Sequence, residues 1–503
     1  MTTASFPRPE INSPEIFLGI VSPVGTNVEG AIKELRSSFE KKGYRVHHIK
    51  LSDDFSAIAE VVGYEGLNAD TRYERVTTYI EFGDNVRERM GNEFLGAFAM
   101  SKIASKRLET ATADVFQKNV YIIDQLKTEA EITLLREVYG LCFFQVSIYS
   151  ARDVRVDYLS RVMARDDKKR DRNAYRDKAE RLVVIDEDEF DKPHGQKVGK
   201  IFQLADVVLN VDRVDDKDNI RIQIRRFIDL LFGHNGYSPN RMEYGMYLAH
   251  SAALRSLDLS RQVGAAIFRV SGEVASLGAN EVPKATGGTY WADDEHDARE
   301  YKIRNDSNDL RKQELLNEVL EIALGKNPKL SDDQKKDLKN SQFMDALEYG
   351  RIVHAEMSAL SDAARLGISV KDGVLYCTTF PCHMCSKHIV ASGIAKVIFL
   401  EPYPKSLTLD LHSDSVKIEG SSRDGFEKFQ AVEFTPFFGI TPRRYREFFA
   451  RGKRKLNGVF EDFQTMPPRP FISIMAPWYS QRETEIIKML GVKLGQFRQV
   501  TTD

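Results

Sequence analysis

The sequence predicts an α/β protein of two domains, and three observations carry that prediction. Its 503 residues exceed what one ordinary hydrophobic core holds together. Apolar runs of strand length alternate with helical stretches in both halves. A cluster of Gly, Asn, Ser and Pro in "LLFGHNGYSPNR" interrupts that pattern near residue 235. The expected division is therefore residues 1–235, a parallel sheet with flanking helices, and residues 236–503, a second α/β/α domain with a C-terminal extension.

Composition narrows the class. Hydrophobic residues make up 42% and charged residues 29%, the balance of a soluble globular chain. No apolar run approaches a membrane span, and the opening "MTTASFPRPEINSPE" has no apolar segment of a secretory signal. With only four cysteines, the expectation is a cytoplasmic protein. Net charge is −2, from 72 basic and 74 acidic residues, which argues against a polynucleotide partner. The basic run from Arg443 to Lys455 is open to two readings, a solvated helix face or a phosphate contact.

In the first domain, "EIFLGIVSPVGTNVEGAIKELRSSFEKKGYRVHHIKL" reads as strand, Gly-containing turn, amphipathic helix and strand. Ser22, Gly25, Thr26 and Asn27 occupy the turn, where backbone N–H groups and a helix start favour phosphate. A complete phosphate-binding loop ends in Gly, Lys and then Ser or Thr; here Gly25 is followed by Thr26 and Asn27, so the lysine is missing. Asp124 closes a later strand, the place of a magnesium-holding acid. The doubly charged stretch "SRVMARDDKKRDRNAYRDKAE" reads as a solvated surface helix. Cys142, in "GLCFFQV", reads as core.

The second domain opens on the helix "MEYGMYLAHSAALRSLD", followed by a hairpin about Ser271–Gly272 and the element "GANEVP". A charged, helix-rich segment covers about residues 293–345. Two helices then begin at "HAEMSALSDAARLG" and "PCHMCSKHIVASG", with strand "GVLYCTTF" between them and "AKVIFLEP" after. His354, Cys382 and Cys385 supply three metal-binding side chains. Zinc in a catalytic site takes three protein ligands and keeps a fourth position for water. Helix starts favour the thiolates, and the i, i+3 spacing of the cysteines turns both sulfurs to one side. Glu356, two residues after the His, is placed to carry protons for that water. Cys377 reads as a packed strand thiol, and His383 and His388 lie outside the ligand set. Trp291 remains open between stacking on a base and lining a subunit contact.

The His-x-Glu and Pro-Cys-x-x-Cys pair resembles the zinc-dependent nucleobase deaminases, in which the Glu is the proton carrier and not a ligand. "GANEVP" and "LYCTTFPCHMCSKHIVASGIAKVIF" are similar to the cytidine and deoxycytidylate deaminase family in particular. That resemblance implies a sugar-contacting role for Asn280 and a free deoxycytidine nucleotide, dCMP or dCTP, as substrate. The run from about residue 15 to 230 resembles P-loop nucleotide kinases in layout. The two together resemble bacterial anti-phage cytidine deaminases, implying depletion of a nucleotide pool in antiviral defence. The implied cofactors are zinc and, at the N-terminal domain, a nucleotide (ATP or dNTP) with Mg; the implied assembly is a homo-oligomer with a regulatory ligand. Two alternatives stand beside this: a nucleotide kinase with a regulatory deaminase domain, and a deaminase of nucleic-acid bases.

Overall fold

The structure is a computed structural model that describes residues 11, 13–109, 116–168, 173–187, 198–214, 219–346, 348–401, 406–423, 425–463, 469–472, 474 and 476–500. The chain forms two compact units: residues 1–243 with 438–503, and residues 244–437. Among the described residues, no helix is long and apolar enough to cross a membrane.

Unit 1 is built on a six-stranded sheet. Its strands are β1 (Ile16–Val21), β2 (Arg45–Lys50), β3 (Asn119–Asp124), β4 (Phe143–Tyr149), β5 (Val207–Asn210) and, from the far end of the chain, β12 (Gly439–Ile440), in the spatial order β12-β5-β4-β1-β3-β2. β1 to β5 are parallel and β12 runs antiparallel to β5. Every residue of β1 and β3 is buried, which is why these strands read as unbroken apolar runs rather than as alternation. Gly19 sits where an added Cβ would meet the Phe143 ring at 2.7 Å, so the central pair of strands packs its side chains through a glycine.

The expected boundary is corrected on one side. Residues 438–503, grouped on sequence with the second domain, cluster with unit 1. β12 completes the sheet edge, Thr441 donates to the Ala205 carbonyl at 2.7 Å, and the helix Tyr479–Val500 contributes Glu483 to a buried ionic node. In that node Arg107 donates to Glu15 (2.8 Å) and Glu483 (2.6 Å), while Tyr121 and Tyr479 donate to Glu15 and Tyr139 to Glu483. The basic run is also settled in part. Arg444 is buried, donating to Asp206 at 3.2 Å and to the Phe143 carbonyl at 2.9 Å, so it ties unit 1 together.

In the charged stretch at residues 160–180, of which 169–172 lie outside the described residues, the charged side chains face outward as expected, and an apolar stripe runs along the inner side. Helices Arg152–Asp166 and Arg176–Glu187 pack together through Val156, Leu159 and Met163 on one and Ala179, Leu182 and Val183 on the other, all buried. Dense charge on the outer faces conceals this apolar stripe.

Unit 2 carries the second sheet: β6 (Gly264–Phe268), β7 (Val274–Ala279), β8 (Val374–Thr379), β9 (Lys396–Glu401), β10 (Val416–Ile418) and β11 (Val432–Pro436), ordered β10-β11-β9-β8-β6-β7. The expected hairpin is present, β6 lying antiparallel to β7 and also to β8, while β8, β9, β11 and β10 run parallel. The 293–345 segment supplies helices Ser307–Leu324 and Asp332–Lys339.

Candidate active site

Both motif helices begin where the sequence places them. His354 is the N-cap of Ala355–Arg365 and Cys382 the N-cap of His383–Ala391, each with extended backbone before the first turn. The first helix lies directly on β7. A Cβ at Gly278 would stand 2.1 Å from the Ala355 carbonyl oxygen and 2.5 Å from the Ala359 nitrogen, so only glycine lets the sheet carry that helix at this depth. Backbone contact of this kind fixes Glu356, one residue into the helix, against the sheet.

The three side chains converge. His354 Nδ1 lies 3.5 Å from Cys382 Sγ and 3.3 Å from Cys385 Sγ, and the three ligand atoms all fall within 4.8 Å of one another. Zinc bonds of about 2.0–2.1 Å to nitrogen and about 2.3 Å to sulfur put two ligands about 3.6 Å apart across a tetrahedral angle. The donor set and its spacing therefore fit zinc. A hydrogen bond from the Cys385 thiol pulls Cys382 down to about 4, with His354 adding to it; the same bond, followed by burial, pushes Cys385 well up. A bound metal would replace that shared proton, since cysteines ligate as thiolates. Neither His383 nor His388 belongs to the cluster.

Glu356 is 4% exposed, and burial pushes its carboxyl above the ordinary range, opposed by His354. On β8, burial pushes the Cys377 thiol well up, and the Glu356 carboxyl adds to that. Cys377 is thus packed, as expected, and it also feels the candidate proton carrier, which no spacing in the sequence signals. Cys142 is buried core in unit 1.

His354, Glu356 and Cys382 open into a cavity of about 270 Å³ that Asn280 also lines. Asn280 is more committed than a free substrate contact. Its amide donates to Asp258 Oδ2 and to the Arg261 carbonyl, both at 2.8 Å, and its Oδ1 accepts from the Val263 N–H at 2.7 Å. One lone pair of Oδ1 is left for a ligand hydroxyl. The three bonds hold the 258–263 loop, which brings Arg261 into the cavity wall. The opposite wall comes from Glu300, Asp306, Asp309 and Lys312 in the 293–345 segment. None of these was singled out on sequence, because a charged helix gives no sign of which charges turn inward.

The turn residues of unit 1 are placed elsewhere. Ser22, Gly25 and Thr26 line a separate cavity of about 290 Å³, whereas Asn27 is exposed and outside its lining. Gly25 has φ +87°, and a Cβ there would meet Arg155 at 2.9 Å, so the turn conformation and the close approach of the Arg152–Asp166 helix account for this glycine without any ligand. Asp124 ends β3 as expected, 3.5 Å from His48 Nε2.

Residues 239–401 match the cytidine and deoxycytidylate deaminase zinc-binding region. The deoxycytidylate deaminase of Enterobacteria phage T2 is 43% identical over 54 residues, 11% of this chain and 29% of that protein. The deoxycytidylate deaminase of Saccharomyces cerevisiae is 25% identical over 227 residues, 44% of this chain and 58% of the yeast protein. The chain thus spans less than two thirds of the length of these relatives. Among solved structures, the dCMP deaminase of cyanophage S-TIM5 aligns over 40% of this chain with 16% identity and a TM-score of 0.23.

Proposed function

We propose that unit 2 hydrolytically deaminates a free deoxycytidine nucleotide, dCMP or dCTP, releasing ammonia and the uracil nucleotide. The observation that carries this reading is the buried Glu356 carboxyl beside the His354, Cys382 and Cys385 cluster, at the floor of a cavity large enough for a nucleoside. His354 Nδ1 and the two sulfurs would hold zinc, which when bound supplies the Lewis acidity that makes water a nucleophile at neutral pH. Glu356 takes one proton of the attacking water and delivers it to the ring nitrogen, then takes the second from the hydroxyl of the tetrahedral adduct and passes it to the amino group, which leaves as ammonia. Asn280 positions the 258–263 loop and keeps one acceptor site for the sugar hydroxyl. Arg261, beside Glu401 at 3.3 Å, and Lys312, beside Asp309 at 2.9 Å, are the cations of the cavity lining that a substrate phosphate would meet.

Sequence resemblance extends this reading to nucleotide-pool depletion in antiviral defence by a homo-oligomer, with the unit 1 turn as a regulatory nucleotide site. The decisive test supplies zinc-loaded protein with dCMP and dCTP and follows uracil formation and ammonia release. Absence of product from both, with zinc stoichiometrically bound, sinks the reading.

A further inference from the structure

The cavity of unit 1 holds an arrangement that deamination does not use. Ser22 follows β1, Lys50 ends β2 and Asp124 ends β3, and all three line the cavity. It therefore sits at the carboxyl edge of a parallel sheet, beside the central strand from which β3 and β4 lie on opposite sides, where open α/β sheets take their ligands.

The lining is cationic. Lys50, Arg72, Arg75, Arg87 and Lys127 face a single carboxylate, Asp124, with Phe55, Tyr79 and Tyr158 as aromatic wall. Arg87 is engaged by Glu131 at 2.9 Å and Arg72 by Asp166 at 3.1 Å. Lys50 and Arg75 have no carboxylate partner among the described residues; Arg75 lies over the Tyr79 ring at 5.0 Å. Thr26 Oγ1 is buried without a hydrogen-bond partner.

The most telling contact joins the turn to a distant helix. Lys127 Nζ donates to the Ser22 carbonyl at 2.9 Å and to Asp186 Oδ1 at 2.7 Å, while the Val24 N–H donates to Asp186 Oδ2 at 2.6 Å. Asp186 is fully buried. A single carboxylate thus bridges a backbone amide of the turn and an ammonium group, the two kinds of donor a phosphate-binding loop offers a phosphate oxygen. The ammonium comes from Lys127, about a hundred residues from the turn that lacks its own lysine.

We propose that this cavity binds a phosphorylated ligand bearing a planar ring, of nucleotide size, with Lys127 as its principal cation, and that the Asp186 carboxylate competes with the ligand phosphate for Lys127 and the Val24 amide. This deepens the reading of the 22–27 turn as a nucleotide site and is independent of the chemistry in unit 2. Affinity is then set by an internal anion, and whatever moves the Arg176–Glu187 helix, which carries Asp186, changes it.

Equilibrium binding of ATP and of pyrophosphate to the full-length zinc-loaded protein tests this, because neither probe contains cytosine. Asp186→Asn keeps an acceptor for the Val24 amide and removes the competing charge, so both probes bind on the order of tenfold more tightly. Lys50→Ala and Arg75→Ala, which break no ion pair, weaken ATP binding several-fold with an unchanged melting temperature. Lys127→Met strands the buried Asp186, so it is read as Lys127→Met with Asp186→Asn, which binds both probes more weakly than Asp186→Asn alone. Equal binding by wild type and Asp186→Asn, wild-type affinity in both Lys50→Ala and Arg75→Ala, or no binding of either probe overturns the proposal. Deamination of dCMP, assayed on the same samples, reports on unit 2 alone.

Discussion

The two cavities are close in size, about 270 and 290 Å³, and each is bordered by residues at strand ends of a six-stranded sheet, yet their charges are opposite. The unit 2 cavity is walled by Asp258, Glu300, Asp306, Asp309 and Glu356 against Arg261 and Lys312. Lys50, Arg72, Arg75, Arg87 and Lys127 line the unit 1 cavity with Asp124 as the lining carboxylate, three of the five being paired behind the lining with Asp166, Glu131 and Asp186. The near-neutral total therefore conceals two linings of opposite charge balance. A whole-chain charge count can argue against a large basic face, but it says nothing about pockets.

The difference is broken most severely at Glu356. Glu356→Gln keeps shape and burial but removes the proton carrier, and kcat/KM for dCMP should fall by about 10²–10⁴. Zinc content, measured by plasma mass spectrometry, should stay at the wild-type level; a variant that turns over normally ends the assignment. In unit 1 the matching intervention concerns structure. Arg107→Met leaves Glu15 and Glu483 buried without a cation and should destabilise unit 1 by about 3–5 kcal/mol in chemical denaturation. Deamination measured well below the unfolding midpoint should change far less, which sharpens the separation between the units. The smallest expected effect is that of Gly278→Ala. The added methyl presses on the Ala355 carbonyl and Ala359 amide, with a loss of about 1–3 kcal/mol. Because that helix carries Glu356, kcat should drop while zinc remains bound.

What could be read in advance follows from where each signal lies. His354 and Cys382 cap their own helices, so motif and local structure coincide within a few residues, and the hairpin is marked by its own turn. β12 has two residues, too short for any period to show, and its partner β5 lies more than two hundred residues earlier, so the return of 438–503 to unit 1 was invisible. The missing lysine of the turn is plain in the sequence, but the position of Lys127 depends on β3 lying beside β1. The element around Asn280 suggests a sugar contact, whereas its side-chain bonds hold the 258–263 loop, a partnership that lies outside that element. Cys377 was read as packing alone because strand alternation identifies a face and not the neighbour on it.

Unit 2 is encoded in one uninterrupted stretch, whereas unit 1 is encoded in two that flank it. During synthesis the ribosome therefore delivers every residue of the deaminase-like unit before it delivers β12 or Glu483. Arg107 must wait 376 residues for the second of its two carboxylates. Until then unit 1 lacks its edge strand, and Arg107 has only Glu15 as its buried carboxylate partner, while every residue of unit 2 has already been made.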